Sequence, residues 1–98
     1  MTKWFVSRHA GAIVWAQEQD VSVDHYVTHL DIGLIRAGDV VMGNLPVDLA
    51  AQVCAQGAQY WHLSVPVSEN SRGRELSAEE IRTLGAKLQP FHVAAIAT

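Results

Sequence analysis

Hydrophobic residues along this chain come in short blocks separated by polar or glycine-containing turns. Lys3 to Ser7 (KWFVS) is aromatic and β-branched, which predicts a strand. Ala12 to Gln19 is rich in alanine and glutamine and predicts a helix. Asp24 to His29 reads as a second strand, and Asp31 to Asp39, with Gly33 and Gly38, as a connection. Asp39 to Gly43 (DVVMG) is a continuous apolar run, as expected of a strand covered on both faces. Pro46 suits the first position of a helix. Leu49, Ala50, Val53 and Cys54 then recur at helical spacing, and Gly57 closes that helix. Tyr60 to Val65 is the next strand, and Pro66 to Leu76 a polar surface loop. Ser77 to Glu80 (SAEE) forms a capping box. Ile81, Leu84 and Leu88 follow on one helix face, Pro90 stops the helix, and Phe91 to Ile96 is a final strand.

The order is strand, helix, strand, strand, helix, strand, helix, strand. Such alternation predicts an α/β fold, a small Rossmann-like open, largely parallel sheet flanked by helices. Residues 1–98 suit a single domain, and the sequence contains no repeats or low-complexity segments.

Composition adds two expectations. Nearly half the residues are apolar (49%) and few are charged (17%), more apolar surface than one small core readily hides. A two-fold homodimer is therefore expected. The net charge of −3 argues against a coat for long nucleic acid or a polybasic membrane binder. It leaves room for a small anion held by a few arginines. Cys54 is the single cysteine, so no internal disulfide and no multi-cysteine metal site can form. No signal-peptide pattern and no run near the roughly 20 apolar residues of a membrane span is present, and a cytoplasmic location is expected.

Ligands of open α/β sheets bind beyond the carboxyl ends of the strands, at a topological switch point. Ser7, Arg8 and His9 stand beyond the first strand, and Ala10 and Gly11 open the helix after them. Free N–H groups at a helix start suit a phosphate, Arg8 can grip its oxygens, and His9 can move a proton near neutral pH. The plainer alternative is that Ser7 caps the helix while Arg8 and His9 are solvated. His29 and Asp31 form either a His–Asp pair or a polar turn. Asn44 either caps the next helix or points its amide at a ligand. Arg72-Gly73-Arg74 is a basic turn suited to close over an anion. His62 shares a strand face with Tyr60 and Ser64 and reads as a core or interface histidine. Trp4, Trp15, Trp61 and Cys54 read as packing residues. His29, Asp31 and His62 lack the spacing of a tight metal motif, so neither a metal nor a cofactor is expected.

Four stretches resemble a family of small accessory proteins of type III CRISPR systems, the Csx family numbered sixteen. They are FVSRHAGAIVWA (Phe5 to Ala16), HLD (His29 to Asp31), GDVVMGNLPVDLAAQVCAQGAQYWHL (Gly38 to Leu63) and RGRELSAEE (Arg72 to Glu80). The resemblance implies a dimeric, metal-independent ring nuclease. Such an enzyme linearises a cyclic oligoadenylate messenger, often cyclic tetra-adenylate, and switches off type III signalling. Its products would be linear oligoadenylates ending in a 2′,3′-cyclic phosphate. Ser7, Arg8 and His9 are then the candidate catalytic residues. Gly11, Asn44, Arg72 and Arg74 are the candidate ring-binding residues, with His29 and Asp31 in support. The rival readings are a sponge that holds the ring uncut and an interaction subunit of a CRISPR effector.

Overall fold

The computed structural model describes residues 1–67 and 73–98. Five strands and three α-helices follow in the order β1 (Lys3–Val6), α1 (Ala10–Glu18), β2 (His25–Val27), β3 (Val40–Gly43), α2 (Val47–Ala55), β4 (Gln59–Ser64), α3 (Ala78–Thr83) and β5 (Lys87–Phe91). A 3-10 turn, Ile32–Leu34, lies between β2 and β3. The sheet order is β2-β1-β3-β4-β5. β1 pairs in parallel with β2 and β3, and β3 with β4, while β5 runs antiparallel to β4. The expected open, largely parallel α/β sheet is what forms.

Both faces of the sheet are covered, and side-chain alternation decides what each face carries. On one face Phe5, Met42 and Leu63 pack with Trp15 and Ala16 of α1 and Ile81 of α3. On the other, Val41 and Tyr60 pack with Ala50 and Val53 of α2 and with Ile35. Val41 and Val53 are wholly buried, each worth about 1.5–3 kcal/mol relative to exposure. Asp39 is a buried acid at the foot of β3. Its Oδ1 accepts from the Thr2 amide and its Oδ2 from the Arg36 amide, both at 2.9 Å. These bonds tie the N-terminal residues to the turn entering β3 and hold the Asp39 carboxyl below its ordinary range.

The region after Ser77 departs from the sequence expectation. Helix α3 does not continue to Leu88, and no strand spans Phe91 to Ile96. Gly85, with φ +84°, turns the chain out of the helix. The Gly85 amide donates to the Arg82 carbonyl and the Ala86 amide to the Ile81 carbonyl, the two bonds of a Schellman ending. Leu88 then lies in β5 and packs on the core from a strand. Pro90 sits inside that strand rather than stopping a helix. β5 is at the sheet edge, where a proline's missing N–H leaves no ladder bond unmade. The final residues, 92–98, carry no strand. Smaller shifts occur at the starts of the helices: α1 begins at Ala10, and Pro46 is the residue preceding α2 rather than its first. The Gly57 ending of α2 is as the sequence predicts: the Gly57 amide donates to the Cys54 carbonyl and the Ala58 amide to the Val53 carbonyl.

Candidate functional site

Helix α1 leaves β1 towards one face of the sheet, and α2 leaves β3 towards the other. Between these neighbouring strands the loops part, and a cleft opens beyond their carboxyl ends. It has two lobes. The first, of about 320 Å³, is bordered by His9, Asn44, His62, Arg74 and Glu75. The second, of about 450 Å³, is bordered by Ser7, Arg8, His9, His29 and Asn44. His9, Ala12 and Asn44 line both, so the lobes share a wall.

The chain turns sharply after β1 because the Ser7 Oγ accepts from the His9 amide at 3.0 Å. Ser7 thus shapes the turn ahead of α1. The helix itself starts after His9, whose side chain makes no capping bond. The Ala10 and Gly11 N–H groups therefore stand at the start of α1 without a side-chain cap. The His9 side chain turns instead to Glu75, with Nδ1 3.0 Å from both carboxylate oxygens. That contact fixes which ring nitrogen carries the bonded proton and leaves Nε2 for a ligand.

Glu75 is brought to His9 by Gly11. A Cβ at Gly11 would stand 1.9 Å from the Leu76 carbonyl oxygen, so the loop reaches α1 only because position 11 has no side chain. This packing is the contact the structure gives Gly11. Arg74 is paired with Glu80 at 2.6 Å, and Glu80 closes a capping box with Ser77. Arg74 therefore borders the first lobe from a fixed anchor at the start of α3. The Arg74 guanidinium, followed by the Ser77 amide, holds the Glu80 carboxyl below its usual value.

The remaining candidates separate. Asn44 follows β3 at the shared wall of the two lobes. His29 borders the second lobe. The Asp31 carboxylate accepts from the Gly33 amide at 3.0 Å and caps the 3-10 turn, the polar-turn alternative for that stretch. Arg72 lies outside the described residues. No group of three His, Cys, Asp or Glu side chains placed to hold a metal occurs among the described residues. No helix among them is long and apolar enough to cross a membrane.

Two cleft residues escaped the sequence reading of the site. Glu75 looked like ordinary loop polarity, and only the fold sets it beside a residue 66 positions earlier. His62 borders the first lobe rather than being shut in a core, and its Nδ1 is 2.7 Å from the Tyr60 hydroxyl. The available signal was a Tyr and a His two apart on one strand face, near the end where ligands bind. The cleft thus gathers Arg8, the anchored Arg74, three histidines and the Asn44 amide, beside an uncapped helix start. That set suits a small anion bearing protons to be moved. No curated protein and no solved structure matches the chain. Across residues 4–94 it matches the family described as "Putative CRISPR-associated protein (Cas_VVA1548)", and the chain therefore belongs to that CRISPR-associated family.

Proposed function

We propose that this protein is a metal-independent ring nuclease that linearises cyclic oligoadenylate, cyclic tetra-adenylate being the first substrate to try. The observation that carries the reading is the shared wall of the two lobes. His9 stands there between a lobe bordered by Arg74 and a lobe bordered by Arg8, where a proton-transfer group would be needed. RNA brings its own nucleophile, the ribose 2′-hydroxyl, so the protein has only to align, deprotonate and neutralise.

In this reading Arg8 and the open N–H groups of α1 take the phosphate charge, and Asn44 and Ser7 orient the ribose and phosphate. His9, oriented by Glu75, moves a proton. The 2′-oxygen bonds to phosphorus as the bond from phosphorus to the 5′-oxygen breaks. The product is linear, with a 2′,3′-cyclic phosphate at one end and a 5′-hydroxyl at the other. Arg74 adds positive charge at the rim. A homodimer would present the cleft twice to a ring with rotational symmetry of its own.

The test is incubation with excess cyclic tetra-adenylate, with and without chelator, followed by chromatography and mass spectrometry. Multiple turnovers that persist in chelator, and that vanish in the Arg8→Ala/His9→Ala double variant, are the expected result. A ring bound but uncut would make the protein a sponge. A ring neither bound nor cut would overturn the reading.

A further inference from the structure

Three polar groups surround the Tyr60 hydroxyl. The Leu45 amide donates to it at 3.0 Å, it donates to the Gly43 carbonyl at 3.1 Å, and His62 Nδ1 lies 2.7 Å away. A phenol offers one proton and two lone pairs. The Gly43 carbonyl can only accept and takes the proton. The Leu45 N–H occupies one lone pair, so the other is left to accept from His62. Burial raises the Tyr60 pKa, which keeps the phenol protonated and in this role. With the Tyr60 proton on the Gly43 carbonyl and the Leu45 N–H on one lone pair, His62 meets the other lone pair with its proton on Nδ1. In the neutral ring Nε2 is then a bare acceptor, on the side of the imidazole away from Tyr60. Phe91 meets the same ring edge-on, with centroids 6.0 Å apart and an interplanar angle of 83°, which limits its rotation.

We propose that His62 is a second catalytic residue of the cleft, a general base whose Nε2 is presented by Tyr60 acting as its positioning residue. The assignment rests on the ring-nuclease reading and divides the two proton transfers that reading requires. His62 Nε2 accepts the 2′-hydroxyl proton as the 2′-oxygen bonds to phosphorus. His9 Nε2 gives its proton to the departing 5′-oxygen, while Glu75 holds His9 Nδ1–H. One proton enters at His62 and one leaves at His9, and exchange with water restores both rings. His62 has the tautomer a base needs, and His9 has a carboxylate partner that holds its Nδ1–H and leaves Nε2 to act.

The experiment has two readouts. Long-range proton–nitrogen NMR of the wild-type protein reads the His62 tautomer without any substrate. Protonated Nδ1 is expected, with a mixture of tautomers in Tyr60→Phe; protonated Nε2 in the wild type would overturn the proposal whatever the protein cuts. Single-turnover cleavage of cyclic tetra-adenylate then compares wild type, His62→Asn and Tyr60→Phe. His62→Asn keeps an amide donor for the Tyr60 hydroxyl but has no base, and should slow cleavage about 100-fold or more. It should bind the 2′-O-methylated ring, which cannot react, as the wild type does. Tyr60→Phe should slow cleavage less and alter the basic side of the pH–rate profile. Unchanged cleavage in His62→Asn would refute the catalytic role while leaving the ring-nuclease reading intact. A wild type that never cuts the ring would overturn both, with the tautomer still decided by NMR.

Discussion

Glu75 holds His9 across 66 residues of sequence, with both carboxylate oxygens 3.0 Å from His9 Nδ1. The pair is largely exposed, so it adds little to stability, under about 1 kcal/mol. Its effect is orientation. Glu75→Ala is expected to leave the thermal midpoint nearly unchanged and to lower ring cleavage about 10- to 100-fold. Glu75→Gln, which still offers an acceptor to Nδ1, should fall between. Melting curves and single-turnover rates on the same preparations check both halves.

Gly11 gives the opposite pattern. Gly11→Ala forces a methyl group against the Leu76 carbonyl, and backbone must move on one side or the other. A loss of about 1–3 kcal/mol is expected in urea unfolding. Because Leu76 adjoins Glu75, cleavage should fall together with stability, whereas Glu75→Ala separates the two.

Arg8 and Arg74 should differ as ring ligands. Arg8 is exposed beside the second lobe, while the Arg74 charge is partly offset by Glu80. Arg8→Ala is expected to weaken binding of the 2′-O-methylated ring about 10-fold, near the worth of one charge-assisted hydrogen bond. Arg74→Ala should cost less, and the Arg8 effect should shrink as salt is raised. Titrations at two salt concentrations would show it.

Acid sensitivity should trace to Asp39 and Glu80. Each carboxyl is held below its ordinary value in the folded chain, Asp39 by the Thr2 and Arg36 amides and Glu80 by Arg74 and the Ser77 amide. A depressed folded pKa means stability that is present above the unfolded value, about 4, and lost as pH falls through the folded value. The thermal midpoint should therefore drop below about pH 4. Asp39→Asn can accept only one of the two amide donors. It should be less stable at neutral pH and show a shallower acid slope in scanning calorimetry.

The fold was readable where periodicity and punctuation agreed. The β-branched runs ending in Val6 and Gly43, the helix closed by Gly57 and the capping box at Ser77 all have local causes. The reading failed at Gly85 to Phe91 because Leu88 continues a helical spacing from Ile81 and Leu84 by chance. Pro90, usually a helix stop, is tolerated there by an edge strand, and edge position is a property of the whole sheet. The site was readable to the same extent. Ser7, Arg8, His9 and Asn44 follow strand ends and were found by the rule for open sheets. Glu75 reaches the cleft only through the fold, and His62 showed itself only as a Tyr and a His two apart near a strand end. Asp31 shows the converse, a polar residue near a strand end that serves its own turn.

The strand order carries a kinetic meaning as well. β1, at the switch point, pairs with β2 and β3, and neither partner is joined to it by a hairpin. Each parallel pairing needs a crossover to close before its ladder bonds form, so folding is governed by distant segments meeting. The cleft opens beyond the paired carboxyl ends of β1 and β3 and cannot precede their docking. A peptide carrying only the Ser7–Gly11 stretch would lack the wall, the carboxylate partner and the second histidine. A complete cleft therefore exists only after the chain has zipped across its middle.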